Sequence, residues 1–296
     1  MHEQTRRGFG FSRRRKSGRR ATASAGAVLV VGALTMGVLA PQAASAASAS
    51  AAPAARPNAV QQALNGVVRA DGGPPAALAS VQGRDGRVRS YTAGVADLAT
   101  GAKVPVDGQV RIGSNTKAFV SVVVLQLVAE GKVDLDGAVD TYLPGLVRGD
   151  GIDGRRITVR QLLQHTAGGP LRDVTELDPS WGWAAGQMIS TASDLDRFYT
   201  ELLAGRILPD AQLAQMRATV PAEDLGKGVR YGLGLASMPL SCGGVFWGHG
   251  GGIPGFETQG GATEDGRAAY VAVTVLSFDD AGLKRAAAVV DTALCR

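Results

Sequence analysis

The segment Arg111-Ile112-Gly113-Ser114-Asn115-Thr116-Lys117 lies where a strand-like run, Gln109–Ile112, gives way to an apolar helix that the spacing predicts over residues 114–131. A serine in the first turn of a helix lies at the positive end of the helix dipole, and its backbone N–H is free to face a developing oxyanion. Lys117 follows on the same face, so its amine can reach the Ser114 hydroxyl and, when desolvated, accept the proton. The pair is therefore a candidate nucleophile and base, although an ordinary N-cap serine followed by a solvated lysine has the same spacing.

The order of helical and strand-like segments around this helix predicts the fold class. A helix over 58–69 and two strands, Ala76–Gln82 and Val88–Ala93, open the chain, and two helices, Thr158–Thr166 and Ser193–Leu203, occupy its middle. Strands and an Ala-rich helix close it: Tyr231–Leu240, Val245–Trp247, Gly255–Gly261, Ala268–Leu276 and Asp279–Leu294. We therefore expect an α+β fold in which both chain ends form an antiparallel sheet flanked by helices. On the helix over 114–131 the predicted core face is that of Val120, Val123, Val124, Leu127 and Val128.

Further stretches accompany the Ser114 segment in a fixed order along the chain. They are Leu127–Asp136, Ile157–Gly168, Ala185–Leu195, Tyr231–Leu235 and Gly248–Gly252. Together they closely resemble the serine β-lactamase-like hydrolases, and more narrowly the secreted D-alanyl-D-alanine carboxypeptidases of the actinomycete type, a class C β-lactamase and penicillin-binding protein type. The resemblance covers nearly all of residues 57–296 and implies a β-lactamase/transpeptidase-like α+β fold. It also implies an exported serine hydrolase that acts through an acyl-serine intermediate.

The resemblance implies a role for each residue that matches a family motif. Ser114 would be the nucleophile that is acylated, and Lys117 its proton partner. His249-Gly250-Gly251 stands where the family has a basic-x-Gly motif on a strand beside the site, and the backbone N–H of Gly252 would be the second oxyanion donor. On its own, His249 would be interpreted as a turn histidine in a glycine loop, and it is the other motifs that favour a place in the site. His165 is interpreted as structural.

The substrates that the resemblance implies are small peptides, esters or β-lactams, including peptidoglycan stem peptides that end in D-Ala-D-Ala, and it implies no cofactor. Related carboxypeptidases can hold the free carboxylate of such a peptide with a cationic side chain on the strand before the histidine motif. Here Leu233–Trp247 contains no lysine or arginine, and Gly250 replaces a hydroxyl-bearing residue. The identity of the substrate therefore stays open.

A third motif of the family, Tyr-x-Asn, is absent; in the family its tyrosine relays a proton and its asparagine holds the substrate amide. The chain has five tyrosines, none followed by asparagine two residues later: Tyr91, Tyr142, Tyr199, Tyr231 and Tyr270. The chain passes from Gly168-Gly169-Pro170 to Leu171 where the family has a helical subdomain, so we infer an internal deletion near 168–172 that truncates it. The deletion should expose apolar faces on the helices that begin at Ser114 and Thr158. An inactive module that binds cell-wall peptides or β-lactams, or a chain with no stable fold, are the alternatives to a hydrolase.

The first 46 residues have the three-part pattern of a signal peptide. A basic run that ends at Arg20 precedes the apolar stretch Ala25–Ala40, and the small residues Ala44-Ser45-Ala46 follow at the spacing of a cleavage site. The apolar stretch is short for a membrane span, which needs about 20 residues. We therefore expect export by the Sec or twin-arginine route, a mobile Ala/Ser/Pro-rich linker over 47–56, and a secreted domain over 57–296.

The overall positive charge comes from this N-terminal segment. Of 31 basic and 26 acidic residues, eight basic residues and one acidic residue lie in residues 1–46, which leaves 23 basic and 25 acidic residues in 47–296. The body of the chain has no basic excess to release counterions from a phosphate backbone. We therefore expect no nucleic-acid partner, no membrane association after signal cleavage, and a monomer.

The two cysteines, Cys242 and Cys295, both lie near the C-terminus. Export to an oxidising compartment favours a disulfide, with two inert buried thiols or a catalytic thiol as alternatives. The resemblance adds that the carboxypeptidase group has a disulfide at matching positions. Metal catalysis has little support, since only His165 and His249 follow the signal peptide and neither has acidic or cysteine partners at ligand spacing.

Overall fold

The computed structural model describes residues 58–149, 151–168, 183–274 and 280–296. The expected signal peptide and linker, and all but the first residue of the expected deletion site, lie outside these residues. Within the described ranges, none of the helices combines the length and the hydrophobicity that a membrane span requires.

The helices and strands follow one another in short segments along the described chain. The helices are α1 (Ala59–Arg69), α2 (Thr116–Ala129), α3 (Val139–Tyr142), α4 (Val159–Leu163), α5 (Trp183–Gly186), α6 (Ala192–Leu203), α7 (Asp210–Met216) and α8 (Asp280–Leu294). The strands are β1 (Ala76–Gln82), β2 (Val88–Gly94), β3 (Val110–Arg111), β4 (Arg148–Gly149), β5 (Ile152–Asp153), β6 (Ile189–Ser190), β7 (Val220–Pro221), β8 (Arg230–Tyr231), β9 (Ala236–Pro239), β10 (Val245–Gly248), β11 (Gly251–Ile253), β12 (Phe256–Ala262) and β13 (Ala268–Val273). Single turns of 3-10 helix occupy Gly113–Asn115 and Glu223–Leu225.

The central sheet is built from both ends of the chain. Its strand order is β2-β1-β13-β12-β10-β9-β8-β7, and β11 also pairs with β12. β1 runs antiparallel to β13, with Ala77 opposite Val273, so strands from the start and the end of the described domain pair directly with each other. The structure therefore confirms the predicted α+β class and the antiparallel sheet formed by both chain ends.

Helices cover both faces of this sheet, because side chains along each central strand alternate between two cores. On one face, α1 begins at its N-cap Asn58 and buries Val60, Leu64 and Val67, which pack in one cluster with residues of α8. On the other face, α2 and α6 pack against Leu78 of β1 and Tyr270 of β13. The second core lies directly beneath the segment that carries Ser114.

The buried face of α2 differs from the predicted one. Ala118, Val122 and Leu125 are buried, whereas Val123 is 55% exposed, so the predicted core face is wrong. The helix is apolar on all sides, so its periodicity could not select a face, and tertiary packing made the choice. Leu162 of α4 is also an exposed apolar side chain, at 41%.

The predicted strand Tyr231–Leu240 is broken into two strands, β8 and β9. Between them Gly234 has a φ of 66°, and a Cβ there would lie 2.1 Å from Ser121 Oγ on α2. The turn therefore packs directly on the helix that follows Ser114, and only glycine allows this approach. The sequence also did not predict α7 or the glycine-rich β11.

Cys242 and Cys295 form a disulfide, which is the pairing that the sequence predicts. It joins the turn between β9 and β10 to the end of α8, and it spans 53 positions of the chain. A link of this length contributes about 4 kcal/mol to stability in the chain-entropy model, because it restricts the unfolded chain.

Asp196 on α6 makes the stability of the fold depend on pH. The residue is fully buried, and burial raises the pKa of its carboxyl well above the usual 3.8, with Ser80 offsetting part of the shift. Between about pH 4 and the raised folded-state pKa, the folded chain holds a proton that the unfolded chain has released. In that window the free energy of unfolding falls as pH rises, by up to about 1.4 kcal/mol per pH unit from this group. Asp196→Asn cannot ionise and should lose this decline.

Urea unfolding at about pH 5 and about pH 8 measures the effect. The exposed Asp71→Asn is the matched control and should keep the wild-type pH dependence. If Asp196→Asn shows the same pH dependence as the wild type, the buried carboxyl does not hold a proton in the folded state.

Candidate active site

Ser114 and Lys117 come together at the start of α2. Lys117 Nζ lies 2.8 Å from Ser114 Oγ and 3.0 Å from the backbone oxygen of Ala185 on α5. Ser114 belongs to the 3-10 turn that precedes α2, so Lys117 follows about one turn later on the same side. Burial lowers the pKa of Lys117 below its usual 10.5, and a lysine that loses its proton more readily can accept one from an adjacent hydroxyl.

Glycines let β11 approach the turn that carries Ser114. Gly113 has a φ of 53°, and a Cβ on it would lie 2.9 Å from Gly252 N. A Cβ on Gly251 would lie 2.0 Å from the backbone oxygen of Ile112, so a side chain at either position would separate the two segments. Ser114 and the exposed backbone of Gly252 consequently border one cavity of about 420 Å³, which His249, Gly250 and Gly251 also line.

Asn115 is fully buried behind Ser114 and ties the turn that carries this serine to the sheet. Its Nδ2 donates to Thr258 Oγ1 at 2.8 Å, and its Oδ1 accepts from the hydroxyls of Tyr270 at 2.7 Å and Tyr199 at 3.3 Å. The Tyr270 hydroxyl also lies 3.1 Å from the backbone oxygen of His249. This buried hydrogen-bond network fixes the Ser114 turn relative to the His249 backbone, and both of these segments line the cavity.

His249 is held as a neutral ring. Its Nδ1 contacts the backbone oxygen of Gly250, which can only accept, so we assign the ring proton to Nδ1. Nε2 is then free to accept from the Tyr231 hydroxyl at 2.9 Å. Burial lowers the pKa of His249 to about 4, and the nearby charge of Lys117 adds to the shift. The position that matches the basic residue of the family motif is therefore uncharged at neutral pH.

A second cavity of about 390 Å³ lies beside Lys117, and His165, Tyr231 and His249 line it as well. The ring of His165 meets the ring of Tyr231 edge-on at a centroid distance of 5.3 Å. His165 has a φ of 58°. Among the described residues other than glycine, it is the only one with a positive φ. From the sequence His165 is interpreted as structural; in the structure it packs on Tyr231 and also faces the cavity next to Lys117.

Tyr231 is a site residue that the sequence did not single out. It belongs to the Tyr231–Leu235 stretch, which carries part of the family resemblance, but no asparagine follows it and its spacing gave no further signal. Burial raises the pKa of its hydroxyl, so Tyr231 stays protonated and can donate a hydrogen bond but not act as a base.

The arrangement as a whole suits acyl transfer. In the described part of the chain, no group of three His, Cys, Asp or Glu residues is placed to hold a metal ion. The groups at the cavity are instead a hydroxyl, a desolvated amine and glycine backbone at close range. An α+β fold with a serine–lysine pair at a helix start and a glycine-rich strand edge opposite is that of the serine acyl-transfer hydrolases.

The chain belongs to the β-lactamase family. The family model described as beta-lactamase matches residues 60–181 and 169–293, and these two matches together span most of the chain. They overlap in the region where the sequence predicts a deletion.

Solved structures of other proteins share the fold. A D-stereospecific amidohydrolase from Streptomyces sp. is 29% identical, with a TM-score of 0.66 over 77% of this chain and 97% of that chain. A β-lactamase/D-alanine carboxypeptidase from Pseudomonas syringae is 14% identical, with a TM-score of 0.61 over 78% of this chain and 97% of that chain.

Curated relatives match over shorter segments. Penicillin-binding protein 4 of Amycolatopsis lactamdurans is 37% identical over 95 residues, which are 32% of this chain and 24% of that protein. Protein flp of Staphylococcus aureus is 34% identical over 85 residues, which are 29% of this chain and 17% of that protein. The matches therefore span about a quarter or less of these relatives.

Proposed function

We propose that this chain is an exported serine hydrolase in which Ser114 forms an acyl-enzyme with small amide, peptide, ester or β-lactam substrates. The observation that carries the proposal is the 2.8 Å contact between Lys117 Nζ and Ser114 Oγ. A serine hydroxyl is a weak nucleophile at its ordinary pKa and needs an adjacent base. The lowered pKa of Lys117 supports that role for its amine.

In the acylation step, neutral Lys117 accepts the Ser114 proton as Oγ bonds to the substrate carbonyl carbon. The carbonyl π electrons move onto oxygen, which the backbone N–H groups of Ser114 and Gly252 would stabilise. When the tetrahedral intermediate collapses, the bond to the leaving amine or alcohol breaks and the leaving group takes the proton from Lys117. With an amide, peptide or ester the products of this step are the free leaving group and acyl-Ser114, whereas with a β-lactam the leaving amine stays attached to the acyl group.

In the deacylation step, Lys117 accepts a proton from water as the water oxygen bonds to the acyl carbon. The bond from that carbon to Ser114 Oγ then breaks, and Oγ takes the proton back from Lys117. The neutral His249 and the protonated Tyr231 form the wall beside this exchange without supplying a second base.

The relatives and the size of the site support small substrates. The Streptomyces neighbour is a D-stereospecific amidohydrolase, and the Pseudomonas neighbour is a β-lactamase/D-alanine carboxypeptidase. The Ser114 cavity of about 420 Å³ lies in the range of small-molecule sites, which is about 300–1,000 Å³.

A covalent probe tests the acyl-enzyme. The full chain, incubated with a fluorophosphonate or a fluorescent penicillin, should carry one adduct that peptide mapping places on Ser114. Ser114→Ala should lose the adduct. An adduct on another residue, or equal labelling of the variant, would contradict the proposal.

A second candidate function is an inactive module that binds cell-wall peptides or β-lactams. The absence of a Tyr-x-Asn motif favours it, since the family uses that motif to relay a proton and to hold the substrate amide. A folded chain that binds penicillin reversibly and shows no covalent labelling would support this function. Aggregation without a cooperative melting transition would instead support a chain with no stable fold.

We also propose that residues 1–46 direct export and are removed. The basic, apolar and small-residue parts of this segment support the proposal. When the full gene is expressed in a bacterial host, N-terminal sequencing of the protein in the medium should begin at Ala47. Retention of the protein in the cells with its N-terminus intact would contradict export.

A further inference from the structure

Asp224 is an acidic side chain placed at the mouth of the candidate active site. It lies in the 3-10 turn Glu223–Leu225 between β7 and β8, and it is exposed. It lines both cavities, the one that contains Ser114 and the one that contains Lys117. Within the described ranges no hydrogen bond or ion pair engages its carboxylate, whereas its neighbour Glu223 accepts from Gly228 N at 3.2 Å.

Positive charge is scarce around this carboxylate. Over the described residues, the lining of the Ser114 cavity contains no lysine or arginine. In the adjoining cavity the one lysine is Lys117, whose Nζ contacts Ser114 Oγ and the Ala185 backbone oxygen. Burial lowers the pKa of His249 to about 4, so that ring adds no charge at neutral pH. The Ser114 cavity is lined by two acidic residues, the exposed Asp224 at its mouth and the buried Glu257. A substrate cation would therefore find negative charge there, whereas a substrate carboxylate would find no counter-charge.

An apolar side chain adjoins the carboxylate. Leu225 is 60% exposed and, like Asp224, lines both cavities. An acyl group derived from an amino acid offers both a charged amine and a side chain close to its carbonyl carbon. The pair Asp224–Leu225 presents one contact for each of these groups at the edge of the cavity that holds Ser114.

We infer that Asp224 is a specificity-determining residue that binds a free ammonium group on the acyl part of the substrate. The inference rests on the proposed acylation of Ser114. The substrate class it names is amides and esters of amino acids whose α-amine is free, in preference to N-acylated peptides that end in a carboxylate. The attraction acts in substrate binding and takes no part in the bond changes at Ser114.

Two substrates that differ only at the amine test this assignment. D-Alanine p-nitroanilide has a free amine, and N-acetyl-D-alanine p-nitroanilide does not. The wild-type chain should have a kcat/KM about threefold to fivefold higher for the free amine, since one exposed charge pair is worth about fivefold at most. Asp224→Asn should bring the ratio of the two kcat/KM values to about one.

Glu223→Gln is the matched control. It removes one negative charge from the adjacent residue, retains an oxygen that can accept from Gly228 N, and does not line either cavity. The control should keep the wild-type ratio. An unchanged ratio in Asp224→Asn, or an equal fall in Glu223→Gln, would overturn the assignment, because the preference would then not come from a contact with Asp224.

A binding measurement separates this inference from the proposed function. Calorimetric titration of Ser114→Ala with the same two compounds needs no turnover. The compound with the free amine should bind about threefold to fivefold more tightly, and adding Asp224→Asn should remove the difference. Absence of turnover and of Ser114 labelling in the wild type would reject the hydrolase while this binding preference stands. Equal binding of the two compounds would reject the role of Asp224.

Discussion

Ser114→Ala should lower kcat/KM for D-alanine p-nitroanilide by about 10⁴-fold or more, because loss of a nucleophile in hydrolases of this kind removes the whole covalent route. The substitution deletes a single oxygen at the cavity wall and leaves the network of Asn115 in place. The fold should therefore be unchanged, and initial rates of nitroaniline release measure the effect. A circular dichroism melt of the same samples checks the fold.

The matched control is Ser90→Ala on β2, which makes the same change outside both cavities. It should retain wild-type turnover. If Ser114→Ala keeps more than about a hundredth of the wild-type rate, Ser114 is not the acylated residue and the proposed mechanism fails.

Lys117→Arg should lower kcat/KM by about 10³-fold, although it keeps a positive charge at the site. A guanidinium stays protonated at all accessible pH values, so it cannot accept the Ser114 proton, and a positioned base contributes about 10²–10⁴-fold. In the wild type, kcat/KM should rise with pH as the amine loses its proton. Because burial lowers the pKa of Lys117 below 10.5, this rise should be complete at a lower pH than for an exposed lysine.

The control for this prediction is Lys132→Arg, an exposed lysine that pairs with Glu130 at 2.7 Å beyond the end of α2. It should leave both the rate and the pH profile at wild-type values. A Lys117→Arg variant with near wild-type turnover, or one that keeps the same rise with pH, would show that another group takes the proton from Ser114.

Much of the fold could be predicted, because the sequence patterns that indicate a helix or a strand lie within that one element. The short strand-like runs of β1 and β13 and the helical spacing of apolar residues in α1 are of this kind, and the structure confirms these elements. The core face of α2 could not be predicted, since valines and leucines occur on every side of that helix and only its neighbours select the buried one. The break between β8 and β9 was missed because it depends on Gly234 packing against Ser121 on α2.

Some residues of the candidate site could likewise be predicted from the sequence, and others could not. Ser114 and Lys117 were accessible to sequence reasoning because residues three positions apart on a helix share a face. Tyr231 and Asp224 were not singled out, because each is more than 100 positions from Lys117 and reaches the cavity only through the folding of the sheet. The motif search for Tyr-x-Asn also could not find Tyr231, since no asparagine accompanies it.

The sequence by itself determined the serine–lysine pair, the strand and helix order, and the glycines that mark the close approach after His249. These features depend on interactions within one or two turns of chain. Only the tertiary structure decided that Gly251 and Gly252 lie against the Ser114 turn, that His249 is neutral beside Tyr231, and that Asp224 is the acidic side chain shared by both cavities. The reason is that burial and charge proximity arise between segments distant in the chain, and no local pattern encodes the distances between them.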